Sequence, residues 1–260
     1  MRNRQKAGLS IEDIRVYAGH IHNGVDVCVR PGFINGLSGL EGQALRRRKD
    51  DEMYADDETS QITTIVFDLG NTVIRFDHSI SAKKIANLFK LDSNKIYDTF
   101  FDSEITRAFE RGLSSPRQFH REASASLGMK LPYEDFVKIW NDIFWEDEGA
   151  CRLVRDLKKK QYKLFLLSNI NRLHFEYIEK SFDIIKVFDE LILSFVVGAT
   201  KPDKRIYDEV IRRAGGNKES LLYIDDREDL IKEAAALGID SIKFENADKL
   251  ESMLRYKKVI

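Results

Sequence analysis

An acidic pair, Asp225-Asp226, stands directly after the apolar run of residues 221–224. Two adjacent carboxylates repel each other unless a cation is bound close to them, so the pair indicates a metal site. Asp68 lies within a second apolar run, residues 62–69, where its carboxylate could serve as a nucleophile or as a further oxygen ligand. The alternative for Asp68 is a carboxylate that only caps a loop.

Two other segments carry groups that can bind anions. Ser168-Asn169 follows the apolar run of residues 162–167, and Lys201 lies in a loop before a predicted helix. The hydroxyl and the ammonium could hold a phosphate and balance its charge. Each also has an ordinary explanation, because the serine could cap the helix that begins near Asn171 and a loop lysine is usually a solvated charge.

These polar residues occur where predicted strands end, and the strands would bring them together. The pattern predicts buried strands at residues 62–69, 162–167, 190–193, 221–224 and 241–244, with helices at residues 149–160, 171–181, 203–214 and 227–237. Strands and helices that alternate in this way form a parallel sheet covered on both faces, which is an α/β fold of the Rossmann-like kind. In such sheets the binding crevice lies beyond the carboxyl ends of the strands.

Residues 78–148 contain no predicted strand, and we interpret them as an inserted group of amphipathic helices. Their apolar faces comprise Ile80, Ile85, Leu88 and Phe89, then Ile96, Phe100, Phe101, Ile105 and Phe109, and finally Phe136, Ile139, Trp140, Ile143 and Phe144 in a last helix that begins at Pro132. Ser115-Pro116 has the form of a capped helix start. Such an insertion would stand over the crevice as a cap, and we expect its aromatic side chains to form the core of the bundle rather than to contact substrate.

In sequence order, these segments resemble the four motifs of the haloacid dehalogenase-like (HAD) hydrolase superfamily. The segments are Asp68-Leu69-Gly70-Asn71-Thr72, Ser168-Asn169, Lys201-Pro202 and Asp225-Asp226, and the resemblance covers about residues 61–244. Longer stretches, among them SNINRLH and GATKPDKRIYDEVI, are similar to the sugar-phosphatase branch that carries a helical C1 cap. That branch includes glucose-1-phosphate phosphatase-like proteins and the N-terminal phosphatase domain of epoxide hydrolases.

The resemblance implies a core made of residues 61–77 and 149–260 and a C1 cap made of residues 78–148. It also implies that Asp68 attacks phosphorus and that Lys201 balances the developing charge. The resemblance further implies that phosphate is bound by Leu69, Gly70, Ser168 and Asn169. Mg²⁺ would be held by Asp68, Gly70 and Asp226. Thr72 and Asp225 would support the site.

Two positions depart from the usual motifs. Most superfamily phosphatases have a second aspartate two residues after the nucleophile, which protonates the leaving group, and this chain has Gly70 there. The resembled branch includes members with the same glycine. Without a positioned acid the rate falls by about 10²–10⁴-fold unless water or substrate supplies the proton, so good leaving groups such as an anomeric phosphate would suffer least. The last motif usually has an Asp or Asn four residues after the metal-binding aspartate, and this chain has Leu230 there. Asp229 lies one residue earlier, and we expect it to compensate incompletely for the missing polar side chain.

The overall composition argues against several classes of function. The chain has 42 basic and 43 acidic residues, and this balance gives no general attraction to nucleic acid or to anionic lipid. Cys28 and Cys151 are far apart and provide neither a metal-type spacing nor a disulfide framework. No apolar run is long enough for a membrane helix, and the N-terminus lacks a signal core. We therefore expect a cytoplasmic protein without a nucleic-acid or membrane partner.

The first 60 residues differ from the rest of the chain. They contain seven of the fifteen glycines and show no sustained periodicity, which predicts a flexible leader. A basic run at residues 46–49 is followed by acidic residues and is interpreted as part of a solvated linker, with a nucleic-acid or targeting patch as the alternative. His20 and His22 form only a weak metal-binding pattern. Translation could begin at Met53.

The sequence as a whole predicts a Mg²⁺-dependent phosphatase that hydrolyses a small phosphorylated metabolite, with a sugar phosphate favoured, through an aspartyl-phosphate on Asp68. A 2-haloacid dehalogenase would use the same nucleophile without a metal, which the acidic pair disfavours. A catalytically weak or inactive binding domain would explain Gly70 and Leu230. Alternatives also stay open for four other polar residues. His78, Arg107 and Arg111 face either the crevice or solvent. For His174 we expect a packing or surface role.

Overall fold

The computed structural model describes residues 61–260 of the chain. The leader predicted for residues 1–60 lies outside these residues, and so do the expectations for His20, His22, the basic run of residues 46–49, Met53 and Cys28. No helix in the described part of the chain is both long and apolar enough to cross a membrane.

Five parallel strands form a central sheet. They are β1 (Thr64–Phe67), β4 (Lys163–Ser168), β5 (Glu190–Leu193), β6 (Leu221–Asp225) and β7 (Asp240–Lys243), whereas β2 (Ile74–Phe76) and β3 (Phe144–Glu146) form a separate ribbon. The order across the sheet is β5-β4-β1-β6-β7, with β1 in the middle. The predicted α/β fold is confirmed, and all five predicted sheet strands occur close to their expected bounds.

Five helices lie between β2 and β3, and we call them the cap helices. They are α1 (His78–Phe89), α2 (Ser93–Phe101), α3 (Glu104–Glu110), α4 (Pro116–Ser126) and α5 (Tyr133–Asn141). Asp77, Asp92, Ser103 and Ser115 each accept a hydrogen bond from a first-turn amide, which explains where the first four begin. The predicted helix start at Ser115-Pro116 is confirmed.

An aromatic cluster holds the cap helices together. Phe100, Phe119, Phe136 and Trp140 are completely buried, and neighbouring ring centroids lie between 5.1 and 6.1 Å apart. These four rings form bundle core, as expected from the sequence. Leu88 is an exception to the predicted apolar faces, because it is 61% exposed.

The ribbon of β2 and β3 was not predicted from the sequence. Its two strands pair antiparallel, with Phe76 opposite Phe144. The predicted last cap helix was therefore too long, because α5 ends at Asn141 and Phe144 belongs to a strand. A strand of three residues is too short for alternation to be visible. Beside the ribbon, Arg75 and Asp147 form an ion pair of 2.9 Å, and Asp147 caps the next helix.

The remaining helices surround the sheet. They are α6 (Glu148–Lys159), α7 (Arg172–Ser181), α8 (Ser194–Val197), α9 (Lys204–Arg213), α10 (Glu228–Ala236) and α11 (Ala247–Tyr256). Alternate side chains of β1 enter different apolar clusters, with Ile65 and Phe67 in one and Val66 in the other. Both faces of the sheet are therefore buried, and its polar residues lie at the strand ends.

Candidate functional site

The sheet places the predicted polar residues side by side. Asp68 follows β1, Ser168 ends β4 and Asp225 ends β6, and these strands are neighbours with β1 in the middle. A cavity of about 570 Å³ opens between these strand ends and the cap helices. Every predicted site residue except Thr72 lines it, which gives the set Asp68, Leu69, Gly70, Ser168, Asn169, Lys201, Asp225 and Asp226.

Lys201 lies between two buried carboxylates. Its Nζ donates hydrogen bonds of 2.6 Å to Asp68 Oδ1 and 2.6 Å to Asp225 Oδ2. Lys201 and Asp68 are 5% and 6% exposed, and Asp225 is completely buried. Because unpaired charges are costly in such a place, the ammonium group stabilises both carboxylates and fixes their separation.

The side chain of Asn169 holds the loop that carries Lys201. Its Oδ1 accepts a hydrogen bond of 2.7 Å from the Lys201 backbone amide, and its Nδ2 donates one of 2.9 Å to the Lys201 carbonyl. The sequence indicated only an anion-binding amide at Asn169. The structure adds a positioning contact between two distant segments, and no local pattern could have revealed it.

Asp225 accepts hydrogen bonds from three protein donors. Besides Lys201, the hydroxyl of Tyr223 donates to Asp225 Oδ2, and the backbone amide of Arg227 donates to Oδ1 at 2.9 Å. The sequence gave no reason to single out Tyr223, which points from β6 to the same carboxylate two residues further on. These contacts suit Asp225 to orienting Lys201 more than to binding a metal.

The oxygen atoms at the strand ends fit a hard divalent cation. Carboxylate oxygens of Asp68, Asp225 and Asp226 lie within 4.8 Å of one another. The Gly70 carbonyl accepts no backbone hydrogen bond from the described residues, so it is also free to act as a ligand. Mg²⁺ prefers such carboxylate and carbonyl oxygens.

The charges at the site are short of positive partners. Burial raises the pKa of Asp68 to about 7, although Lys201 lowers it, and the Asp225 carboxylate adds to the increase. Burial, followed by repulsion from Asp225, also raises the pKa of Asp226. Burial opposes the charge of Lys201, but Asp68 and Asp225 outweigh it and raise the lysine pKa. Lys201 therefore stays charged, and a bound cation would relieve the remaining carboxylate repulsion.

Several donors beside Asp68 are free to hold an anion. The backbone amides of Leu69 and Gly70 donate to no group in residues 61–260, and within that range Ser168 Oγ makes no hydrogen bond. Ser168 is 3% exposed and lines the cavity. Thr72 differs, because its Oγ1 is buried without a partner among the described residues and does not reach the cavity. No contact in the structure therefore supports the predicted supporting role of Thr72.

The ring of Phe76 occupies the space beside Gly70. A Cβ atom at position 70 would lie only 2.7 Å from Cε1 of Phe76. The ring itself is held by His78, at a centroid distance of 4.7 Å, and by Phe144, at 6.1 Å. The space that a side chain at position 70 would enter is thus filled by an aromatic ring.

Gly70→Ala is expected to lower the free energy of unfolding by about 1–3 kcal/mol, because the added methyl group overpacks against Phe76. Phe76→Leu in the same protein should recover part of the loss by giving that methyl group room. Urea denaturation of both single variants and of the double variant measures the coupling. Purely additive losses would show that the loss in Gly70→Ala does not arise from contact with the Phe76 ring and would contradict this packing.

The position four residues after Asp226 has no acidic side chain that could assist the metal. Leu230 is buried and lines the cavity. Asp229 is exposed and does not line the cavity, and its carboxylate pairs at 2.6 Å with Arg227, which does line it. The expectation that Asp229 compensates for Leu230 is therefore wrong, since the first turn of α10 directs it to solvent.

The structure decides the alternatives left open for four other polar residues. His78 and Arg107 line the cavity, whereas Arg111 does not. His174 is 5% exposed and its Nε2 lies 3.2 Å from the Trp140 carbonyl, as expected for a packed residue, but it also lines the cavity. The sequence did not predict that aromatic side chains line the cavity, because this depends on how the cap helices pack against the sheet.

The chain and the site share their features with known hydrolases. The family model described as haloacid dehalogenase-like hydrolase matches residues 62–238. D-ribitol-5-phosphate phosphatase of Bacteroides thetaiotaomicron is 26% identical over 192 residues, which are 71% of this chain and 93% of that protein. The sesquiterpene phosphatase astK of Aspergillus oryzae is 20% identical over 198 residues, 75% of this chain and 95% of that protein.

A solved structure gives the same result for the fold. The crystal structure of a HAD family enzyme from Bacteroides thetaiotaomicron, a magnesium complex, superposes with a TM-score of 0.65 at 25% identity and covers 75% of this chain and 99% of that one. Together with the family match over more than half of the chain, the sheet order and the strand-end carboxylates agree with one assignment. The chain belongs to the haloacid dehalogenase-like hydrolases.

Proposed function

We propose that this protein is a Mg²⁺-dependent phosphatase that hydrolyses the phosphate monoester of a small metabolite through an aspartyl-phosphate on Asp68. One observation carries the proposal. Lys201 is held within 2.6 Å of both Asp68 and Asp225 at the floor of a cavity, and Asp226 adds a third carboxylate within 4.8 Å. This arrangement provides a nucleophile, a fixed positive charge and an oxygen site for a cation.

In the first step an Asp68 carboxylate oxygen attacks phosphorus, and the bond from phosphorus to the leaving oxygen breaks with its electron pair. In the second step water attacks the aspartyl-phosphate and releases inorganic phosphate and free Asp68. Lys201 favours the ionised form of Asp68 and balances charge on the transferring group, and Asp225 holds the lysine in place. Ser168 and the amides of Leu69, Gly70 and Asn169 would hold the phosphate oxygens.

Asp68, Asp226 and the Gly70 carbonyl would hold the Mg²⁺ ion. When bound, the ion neutralises the repulsion between the carboxylates and a dianionic substrate. We further propose that residues 61–77 and 149–260 act as the catalytic core and residues 78–148 as a cap that selects the leaving group. A sugar phosphate is the first candidate substrate, because a relative is named for ribitol 5-phosphate.

Removal of the metal tests the proposal. We expect phosphate release from para-nitrophenyl phosphate, and from members of a sugar phosphate panel, to fall by about 10³-fold in EDTA, which corresponds to several kcal/mol of lost charge stabilisation. Excess Mg²⁺ should restore it. Halide release from 2-chloropropionate without metal would instead identify a dehalogenase. Folded, metal-loaded protein that releases neither product would support a binding domain.

A further inference from the structure

Five rings line one part of the cavity, and we call them the ring wall: Phe76, His78, Phe101, Phe144 and His174. His78 stacks on Phe101 with centroids 4.0 Å apart and planes 12° apart. Phe76 lies 4.7 Å from His78, and Phe144 meets His174 edge-on at 4.9 Å. Phe101 also stacks on Trp140, with centroids 4.8 Å apart and planes 8° apart, so it presents its edge to the cavity. Because each ring contacts another, the wall is a preformed surface.

The ring wall is uncharged at neutral pH. Burial lowers the pKa of His78 to about 4 and lowers the pKa of His174 well below its ordinary value. Both ring nitrogens of His174 are engaged, one with Asn171 at 3.1 Å and the other with the Trp140 carbonyl at 3.2 Å. His174 also stacks on Trp140 at 4.7 Å, so the wall offers mainly uncharged ring edges to a bound molecule.

Charged cap residues at the cavity are largely engaged with each other. Arg107 donates to Glu104 at 2.9 Å and to Asp102 at 3.0 Å. Gly70 carries no side chain, and the Phe76 ring fills the space next to it. Position 70 therefore offers no acidic side chain to the leaving oxygen.

We propose that aryl phosphates are a further class of substrate, beside sugar phosphates, whose ring packs against the ring wall and whose leaving oxygen departs without a proton. The inference rests on the proposed phosphatase function and adds a substrate class to it. When Asp68 attacks phosphorus, the electron pair of the broken bond stays on the phenolic oxygen, and the phenolate then takes a proton from water. A phenolate is a far better leaving group than the alkoxide of a sugar alcohol, so this reaction needs no acid at position 70.

Binding of non-hydrolysable phosphonates to the Mg²⁺-loaded protein tests the ring wall apart from turnover. Benzylphosphonate is expected to bind about tenfold more tightly than ethylphosphonate in calorimetry, because ring contacts add to the shared phosphonate interactions. Cyclohexylmethylphosphonate should bind more weakly than the benzyl compound. Equal affinity of all three compounds would overturn the proposal, and equal affinity of the two cyclic ones would exclude a requirement for a flat ring.

Phe101→Leu should remove most of the preference for benzylphosphonate and leave the affinity for ethylphosphonate unchanged. Tyr97→Leu is the matched control, because Tyr97 lies on the same helix, is 40% exposed and contacts Phe101 at 5.5 Å without lining the cavity. The control should keep the preference. Loss of the preference in Tyr97→Leu alone would place the aryl site elsewhere and would contradict the ring wall.

Turnover tests the second half of the proposal, and Glu110 is the critical residue. Glu110 lines the cavity, and burial raises its pKa to about 7, so it is the rival proton donor. Across substituted phenyl phosphates, kcat/KM should fall steeply as the leaving-group pKa rises, with the same slope in Glu110→Gln. If Glu110→Gln instead abolished turnover of alkyl phosphates and spared aryl phosphates, Glu110 would be the acid and the proposal would fail. The phosphatase function itself would survive that result.

Discussion

Asp68→Asn is expected to lower kcat/KM for phosphate release by about 10⁴-fold or more, because the amide cannot form the aspartyl-phosphate. The variant should stay folded, since Lys201 keeps Asp225 as a partner at 2.6 Å. The measurement is phosphate release in saturating Mg²⁺, with circular dichroism and a melting curve to establish that the protein is folded. A trapped phosphoryl group on wild-type Asp68, found by mass spectrometry after a rapid quench, would identify the nucleophile directly.

Asp229→Asn is the matched control for this experiment. Asp229 is also an aspartate close to the last motif, but it is exposed and does not line the cavity, although its partner Arg227 does. Its loss should leave kcat/KM within about twofold and stability within about 0.5 kcal/mol. If both variants lost activity to the same degree, a general effect of charge would explain the result, and Asp68 would lose its assignment as nucleophile.

Lys201→Met should have the largest effect on stability, at about 3–5 kcal/mol near neutral pH, because it leaves two buried carboxylates without their counter-charge. Asp68 has a folded pKa of about 7, above its ordinary value, so the folded state binds more protons and its stability falls as pH rises through this window. Without Lys201 the pKa of Asp68 is higher still, so the pH range over which stability falls extends to higher pH. The stability difference from wild type should therefore grow with pH when urea denaturation is measured below and above pH of about 7.

Lys204→Met provides the comparison for Lys201→Met. Lys204 lies three residues further on and pairs with Asp208, but its side chain is 66% exposed. Surface pairs of this kind contribute about 0–1 kcal/mol, so this variant should denature almost as wild type does at both pH values. A loss for Lys201→Met no greater than that of Lys204→Met would mean that the buried carboxylates are neutral or solvated, which contradicts the ion cluster described above.

Much of the site could be predicted because the residues follow strands. Asp68, Ser168 and Asp225 are separated by long stretches of sequence, yet each stands at the carboxyl end of an apolar run. In a parallel sheet all such ends lie at one edge, so strand recognition alone brings these residues together. The place of Lys201 in the site was harder to predict from the sequence, because a loop lysine is usually solvated. Only the order of the four motifs singled it out.

Other features depend on contacts between segments that carry no sequence signal. Whether Gly70 leaves an open space or a filled one depends on Phe76, which the ribbon of β2 and β3 turns back towards the nucleophile. Asp229 has the right chemistry beside Leu230, but the direction of its side chain on α10 sends it to solvent. Phe101 looked like any other cap aromatic, although it faces the cavity while Phe100 beside it is completely buried.

The sequence by itself determined the family, the parallel sheet, the strand-end carboxylates and the helical insertion, because these follow from local periodicity and from residue types at strand ends. Only the tertiary structure decided that Lys201 bridges Asp68 and Asp225, that Asn169 holds its loop, and that Phe76 fills the place of the missing acid. The physical reason is that these are distances between segments far apart in the chain. Such distances result from packing of the whole molecule, which local propensities do not specify.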